Sequence, residues 1–180
     1  MKNNKLRLLI AGDKTRFAHL KQFIIELEKI GIESKLIYDI EFIDKFLQVN
    51  IKKKIEKDRN FKKILKEFVP DAVLLDRISK IGKKVIEQNI PLLILLRGNY
   101  WEESSWAEKT IYKSRIKKLA VAKHEQLFDL CLRKSSIILP ISKYLENEVR
   151  KRYPEKNIEL FPADGRDPEE WFSITAQKLK

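Results

Sequence analysis

The sequence predicts an α/β fold of the Rossmann-like, doubly wound kind: a mainly parallel, six-stranded sheet with helices on both faces. Two observations predict it. Short apolar runs alternate with longer segments of helical periodicity, as parallel strands and their crossover helices do. The runs LLIAG, AVLLD and LLILLR are almost continuously hydrophobic, which is typical of strands buried on both faces of a sheet.

The six strands are expected near residues 6–11, 34–38, 72–75, 92–97, 136–140 and 159–162. Between the first two, Phe17, Leu20, Ile24 and Leu27 recur at helical spacing, and Gly31 follows where a helix should end. A short helix is expected near residues 78–86, and one long helical pattern from about residue 103 to residue 134. We expect one domain over residues 1–166, with residues 167–180 beginning an interdomain linker.

Composition limits the class of protein. Hydrophobic residues make up 43% of the 180 residues and charged residues 36%, so the chain can form a core and should be soluble. Cys131 is the single cysteine, which rules out an intramolecular disulfide and favours a reducing compartment. No apolar run approaches the length of a membrane-spanning helix or a signal-peptide core. We therefore expect a cytoplasmic protein, with no metal site.

The formal net charge is +12, and a charge of this size favours an anionic partner. Nucleic acid, acidic lipid headgroups and phosphorylated small molecules all qualify. Against nucleic acid, the sequence has no recognition motif such as an RNP sequence or a GXXG loop, so we do not expect it to be the partner.

The positive charge is concentrated in one segment, residues 51–66, where Ile51, Ile55 and Phe61 recur at helix-like intervals. The membrane-surface candidates are Lys52, Lys53, Lys54, Lys57, Lys62 and Lys63. A lysine-rich amphipathic helix can lie on an anionic membrane, which would place the protein peripherally at the inner membrane face. The alternative is an ordinary helix whose apolar stripe packs on the sheet while its lysines face water.

In doubly wound sheets, ligands bind beyond the carboxyl ends of the strands, and polar residues follow the predicted strands at those ends. The candidates for binding an acceptor or a phosphate are Gly12, Asp13, Lys14, Arg16, His19, Arg97, Gly98, Asn99, Ser142, Asp164 and Gly165. For the charged residues, the alternative is a solvated loop charge, and for AGDKTRF it is a tight turn capped by Asp13 or Thr15. Neither a G-x-G-x-x-G motif nor a P-loop is present.

The stretch from Lys134 to Phe172 resembles a known family. Its sequence KSSIILPISKYLENEVRKRYPEKNIELFPADGRDPEEWF is similar to the strand, helix and "P-N-G-v-D" loop of group 1 (family 4) glycosyltransferases. The matching residues are Glu125, Ser142, Tyr153, Pro154, Lys156, Pro162, Gly165, Asp167 and Phe172. Before Glu125 the similarity is architectural only.

The resemblance implies a GT-B enzyme, in which two Rossmann-like domains face each other. The N-terminal one shapes the acceptor site, and the C-terminal one holds the nucleotide sugar. The chain would then be the acceptor domain of a hexosyltransferase, inactive alone, because the donor-binding domain is expected to follow it. The implied acceptor is a glycan or a lipid-linked acceptor. No cofactor is implied in this chain, and the nucleotide-sugar donor would be bound by the full-length enzyme.

Two departures from the family leave the catalytic residues unassigned. Arg97-Gly98 stands where the family frequently has His-Gly, and Ala163-Asp164 replaces the asparagine of "P-N-G". His124 shares a helical face with apolar residues, which favours a half-buried structural role, whereas His19 is expected near the cleft. Two other functions remain open: a basic module that binds nucleic acid or an anionic membrane, and a GT-B sugar-nucleotide epimerase.

Overall fold

The computed structural model describes residues 5–43, 51–112 and 114–161. Its centre is a five-stranded, all-parallel sheet in the order β2-β1-β3-β4-β5. The strands are β1 (Arg7–Gly12), β2 (Glu33–Tyr38), β3 (Ala72–Leu75), β4 (Leu92–Leu96) and β5 (Ile137–Pro140). The predicted α/β class and the first five strands are confirmed, and each strand lies within about one residue of its predicted position.

Seven helices accompany the strands in the described part of the chain, and a single 3-10 turn at Lys14–Arg16 precedes the first. They are α1 (Phe17–Lys29), α2 (Asp39–Phe42), α3 (Ile51–Phe68), α4 (Lys80–Glu87), α5 (Tyr100–Thr110), α6 (Arg115–Lys134) and α7 (Lys143–Arg152). Gly31 follows α1 with a φ of 84°, a left-handed conformation that glycine adopts without strain. It therefore ends the helix, as predicted.

Alternate residues of the strands enter two separate cores. Leu8 and Ile10 of β1 pack with Leu20 and Leu27 of α1. The residues of β1, β3 and β4 that point to the other face of the sheet pack with buried side chains of α3, α4, α6 and α7. The division follows from the strand order and the preference for right-handed connections. The chain moves across the sheet in one direction from β1 to β2 and in the other direction at every later connection, so α1 lies on the opposite face from the later helices.

The predicted sixth strand, residues 159–162, is not formed in the described part of the chain. Instead, Ile158 makes an isolated parallel bridge with Ile138 of β5. The main chain continues beside β5 through Phe161, whose N–H donates to the Pro140 carbonyl at 2.8 Å. The next bridge would also need a bond from the main chain of Pro140 to the Glu159 carbonyl, and proline has no N–H to donate, so the regular pairing stops.

The predicted long helix from residue 103 to residue 134 is two helices. α5 ends at Thr110 and α6 begins at Arg115. Ser114 has extended backbone, and its hydroxyl accepts a hydrogen bond from the Lys117 N–H at 3.4 Å. A serine in this position starts a helix instead of continuing one, and this signal was present in the sequence.

Candidate functional site

Three neighbouring helices of unequal length create a cavity at the carboxyl edge of the sheet. α3, α4 and α6 all run from the carboxyl edge to the amino edge, since each precedes a strand, and they contain 18, 8 and 20 residues. At about 1.5 Å per residue, α3 and α6 are roughly 15 Å longer than α4. They therefore rise on either side of α4, and we call the space between them the trench.

The trench has a volume of about 1090 Å³, enough for a substrate the size of a sugar phosphate. Eight lysine and arginine side chains line it, against four carboxylates, so positive charge is in excess. The cations are Lys14, Lys54, Lys62, Arg77, Lys80, Lys83, Lys84 and Lys123, and the carboxylates are Asp13, Asp39, Asp58 and Glu87. An excess of cations in a concave site favours an anionic ligand.

The loop after β1 contributes Gly12, Asp13 and Lys14 to the trench. Asp13 accepts hydrogen bonds from the N–H and the hydroxyl of Thr15, at 2.9 and 3.1 Å, which is the turn-capping role considered above. A Cβ at Gly12 would lie 2.5 Å from the Leu20 side chain. Gly12 thus allows α1 to pack closely against the end of β1.

Asp39 follows β2 directly and faces the trench at the start of α2. Its Oδ1 is buried, and no hydrogen-bond partner for this atom exists among the described residues. Burial raises the pKa of Asp39 from 3.8 to about 6, an effect opposed by a hydrogen bond with Ser79 and by Arg77, and reinforced by Asp13. The carboxyl group is therefore partly protonated just below neutral pH.

His124 of α6 lines the opposite wall and is half-buried. Burial lowers the pKa of His124, and the positive charge of Arg77 lowers it further. Its ring lies 6.4 Å from that of Phe128. The imidazole is thus held neutral at pH 7 beside the trench, a position that its apolar helical neighbours in the sequence did not predict.

Arg97 is held by a carboxylate at the end of β3. Its Nε donates to Oδ1 of Asp76 at 2.7 Å, and the side chains are 12% and 0% exposed. Asp76 is also close to the first loop, because its Cβ lies 3.4 Å from the position a Cβ would take at Gly12. The pair joins the carboxyl ends of β1, β3 and β4 next to the trench, but Arg97 is not among the residues that line it.

Gly98, Asn99 and Ser142 have structural contacts at the edge beyond Arg97. Asn99 caps α5 by accepting from the Glu102 N–H at 3.2 Å, and it donates to the Tyr144 hydroxyl at 2.6 Å. Ser142 caps α7 by accepting from the Leu145 N–H at 3.3 Å. Gly98 packs against Glu103, whose Oε1 would lie 2.5 Å from an added Cβ. All three lie outside the trench lining.

The remaining predicted residues of the site are distributed as follows. Arg16 lies in the 3-10 turn before α1, and the structure describes its backbone only. His19 is partly buried on α1, outside the residues that line the trench. Asp164, Gly165 and the predicted linker at residues 167–180 lie outside the described residues.

The six lysines predicted to form a membrane surface lie in different environments. Lys54 and Lys62 line the trench. Lys57 donates to the carbonyls of Ile40 and Ile43 at 3.1 and 2.7 Å. Its ammonium group therefore contacts the end of α2 and does not point freely toward a membrane surface. Lys63 is 3.7 Å from Glu67. Lys52 and Lys53 remain at the exposed N-terminal tip of α3.

Several residues that line the trench were missed by the sequence reasoning. Asp39 and Ser79 come just after β2 and β3, and the strand-end rule that identified Gly12 would have found them. Lys123 and His124 lie 8 and 9 residues into α6. No local signal identifies these two, because they depend on how far α6 extends past α4.

Neither the models of known protein families nor the curated proteins include a match to this chain. In the described residues, no helix combines the length and the apolar character needed to cross a bilayer. The same residues contain no group of three or more histidine, cysteine or acidic side chains placed to hold a metal ion.

Proposed function

We propose that this chain is the acceptor-side domain of a retaining GT-B glycosyltransferase and moves no sugar without a donor-binding domain. The doubly wound sheet and the transfer of a hexose from a nucleotide sugar to a glycan or lipid-linked acceptor are parts of this proposal. The observation that carries it is the cationic trench at the carboxyl ends of β1 and β3, where open parallel sheets bind their ligands.

The β5–α7 unit supports the proposal, because residues of the family-like stretch have defined contacts there. Ser142 caps α7, and the Tyr153 hydroxyl donates to Asp129 at 2.9 Å. Lys156 donates to the Arg133 carbonyl at 3.0 Å. These contacts hold α7 against α6 and return the chain to the edge of the sheet. They account for the motif as a structural requirement of the β5–α7 unit and give its residues no chemical role.

The chemistry that the trench can supply is positioning and charge. Lysines from α3 and α6 approach from opposite walls, and Arg77 lies between them at the start of α4. Such an arrangement can fix an anionic acceptor and stabilise negative charge that develops as a diphosphate departs. No residue of the chain is assigned as a nucleophile or a general base.

A transfer assay tests the proposal. The natural reading frame that contains this chain, with whatever follows Lys180, is expressed and supplied with labelled nucleotide sugars and lipid-linked acceptors. We expect label in the acceptor with retained anomeric configuration. The double variant K62A/K123A should lower kcat/KM at least about tenfold, because it removes two trench cations that a bound anion would neutralise. K63A, outside the trench on the same helix, is the matched control.

Two outcomes would contradict the transferase proposal. Conversion of the nucleotide sugar to its epimer without an acceptor would identify the epimerase alternative. Equal activity of K62A/K123A and K63A would remove the trench from the reaction.

Contact with an anionic membrane is a second candidate function, favoured by the tip of α3. Residues 51–56 are all exposed there, and Ile51 and Ile55 are 70% and 64% exposed beside Lys52 and Lys53. Isoleucines one turn apart among lysines can enter a lipid interface while the ammonium groups contact headgroups.

Liposome sedimentation tests this candidate. We expect salt-sensitive binding to vesicles with acidic lipid, and its loss in the I51S/I55S variant. I30S is the matched control, since Ile30 is 73% exposed at the opposite, amino edge of the sheet. Equal binding by the two variants would show that the tip of α3 is not the contact.

A further inference from the structure

The trench contains four cations without a carboxylate within 4 Å in the parts of the chain that the structure describes. They are Lys54 and Lys62 on α3, Arg77 before α4, and Lys123 on α6. The other trench lysines are different: Lys84, for example, is paired with Asp58 and donates to the Phe42 carbonyl. Charges that approach from three elements and form no ion pair within 4 Å among the described residues are suited to one shared anion.

The floor of the trench adds a helix N-terminus. Ser79 caps α4 by accepting from the Ile81 N–H at 3.3 Å, and Arg77, Ile78, Ser79 and Lys80 all line the trench at this end of the helix. The positive end of the helix dipole therefore faces the same space as the four cations. Phosphate esters are the anions that such a combination of cations and amide groups commonly binds.

Asp39 differs from the other trench carboxylates in being a buried group that opposes an anion. Its buried Oδ1 has no hydrogen-bond partner in the described chain, and the groups that face it are Asp13, Asp76, Arg77 and Ser79. Its ionised carboxylate would repel a phosphate, whereas its protonated form could donate a hydrogen bond to a phosphate oxygen. A proton on Asp39 therefore favours binding of the anion.

We propose that the trench binds a phosphate or diphosphate ester, and that Asp39 takes up one proton from solvent when the ester binds. Burial has already raised the pKa of Asp39 to about 6, so this protonation costs little near neutral pH. The proposal does not depend on the transferase activity, and it adds to that activity a ligand class and a dependence on pH.

Titration calorimetry with inorganic sulfate isolates the role of Asp39, because sulfate keeps its charge between pH 5.5 and pH 7.5. If the complex requires protonated Asp39, a pKa of about 6 predicts binding up to about 25-fold tighter at pH 5.5. D39N should bind equally at both pH values, apart from the contribution of His124, which H124Q removes. At pH 7.5, buffers of different ionisation enthalpy should show uptake of about one proton by the wild type and none by D39N.

The ligand class is tested with inorganic pyrophosphate and geranyl diphosphate. K62A/K123A should bind both at least tenfold more weakly than the wild type, and K66A, an exposed lysine of α3 outside the trench, should bind like the wild type. Equal affinities for the two compounds would assign the site to a water-soluble ester. Tighter binding of the geranyl compound would assign it to a lipid headgroup.

Three results would overturn the proposal: no binding of either diphosphate, the same pH dependence in D39N as in the wild type, or a K62A/K123A variant that binds normally. Binding of an oligonucleotide, without binding of either diphosphate, would assign the cations to a nucleic-acid surface instead. Because these measurements use the chain alone, they can fail while sugar transfer succeeds, and the reverse.

Discussion

Replacing Arg97 by methionine should destabilise the fold strongly. Arg97 and Asp76 form an ion pair at 2.7 Å, with side chains 12% and 0% exposed, and R97M leaves Asp76 as a buried charge without its guanidinium. Breaking a buried pair in this way costs about 3–5 kcal/mol. For a chain of this size, that lowers the Tm by roughly 6–20 °C. Urea unfolding at pH 7, followed by circular dichroism, measures the loss.

Two further variants separate the buried pair from a general effect of removing a cation. Lys63 and Glu67 form an exposed pair, 71% and 56% accessible, so K63M should change the free energy of unfolding by at most about 0.5 kcal/mol. R97M/D76N removes the buried charge as well and should recover at least half of the stability lost in R97M. Equal losses in R97M and K63M would refute the reasoning.

Three more changes give defined outcomes. The pKa of Asp39 is about 6 in the folded chain and 3.8 in the unfolded chain, so wild-type stability falls as pH rises through this window and stays lower above it. D39N should lack this fall and be up to about 3 kcal/mol more stable at pH 7.5. Parallel urea-unfolding profiles of the two proteins against pH would contradict this prediction. G82A places a Cβ 2.6 Å from the Cys131 sulfur and should cost about 1–3 kcal/mol in urea unfolding, less in a C131A background; an undiminished cost there would refute the contact. S142A removes the cap on the Leu145 N–H and should lower the free energy of unfolding by about 0.5–2 kcal/mol, whereas S142D should not. Thermal unfolding followed by circular dichroism compares the two variants, and equal losses would argue against capping.

The central strands could be predicted because strands buried on both faces leave an unmistakable pattern. Leu92–Leu96 reads as unbroken hydrophobic sequence, and all five residues are buried or nearly so. In the described chain, the strand predicted at residues 159–162 is reduced to one bridge at Ile158, because Pro140 of the neighbouring strand has no N–H to continue the ladder. The break between α5 and α6 was missed because Ser114 was read within a long apolar periodicity and not as a cap.

The site was only partly predictable, because a sequence shows which residues follow a strand but not which partners they meet. Gly12, Asp13 and Lys14 were found from their place after β1. Arg97 has the same kind of position, yet it is held by Asp76, which ends a different strand. The walls of the trench follow from the lengths of three helices, and Lys123 reaches it from far along the chain. Such features depend on tertiary packing.

That the trench is the ligand site is tested most directly by a titration of the isotopically labelled chain with geranyl diphosphate, followed by amide NMR. We expect the largest shifts at Gly12, Ser79 and His124, which lie on three sides of the trench, and none at Ile30 on the opposite edge. Shifts confined to the edge around Asn99 and Ser142, or no shifts at all, would contradict the assignment.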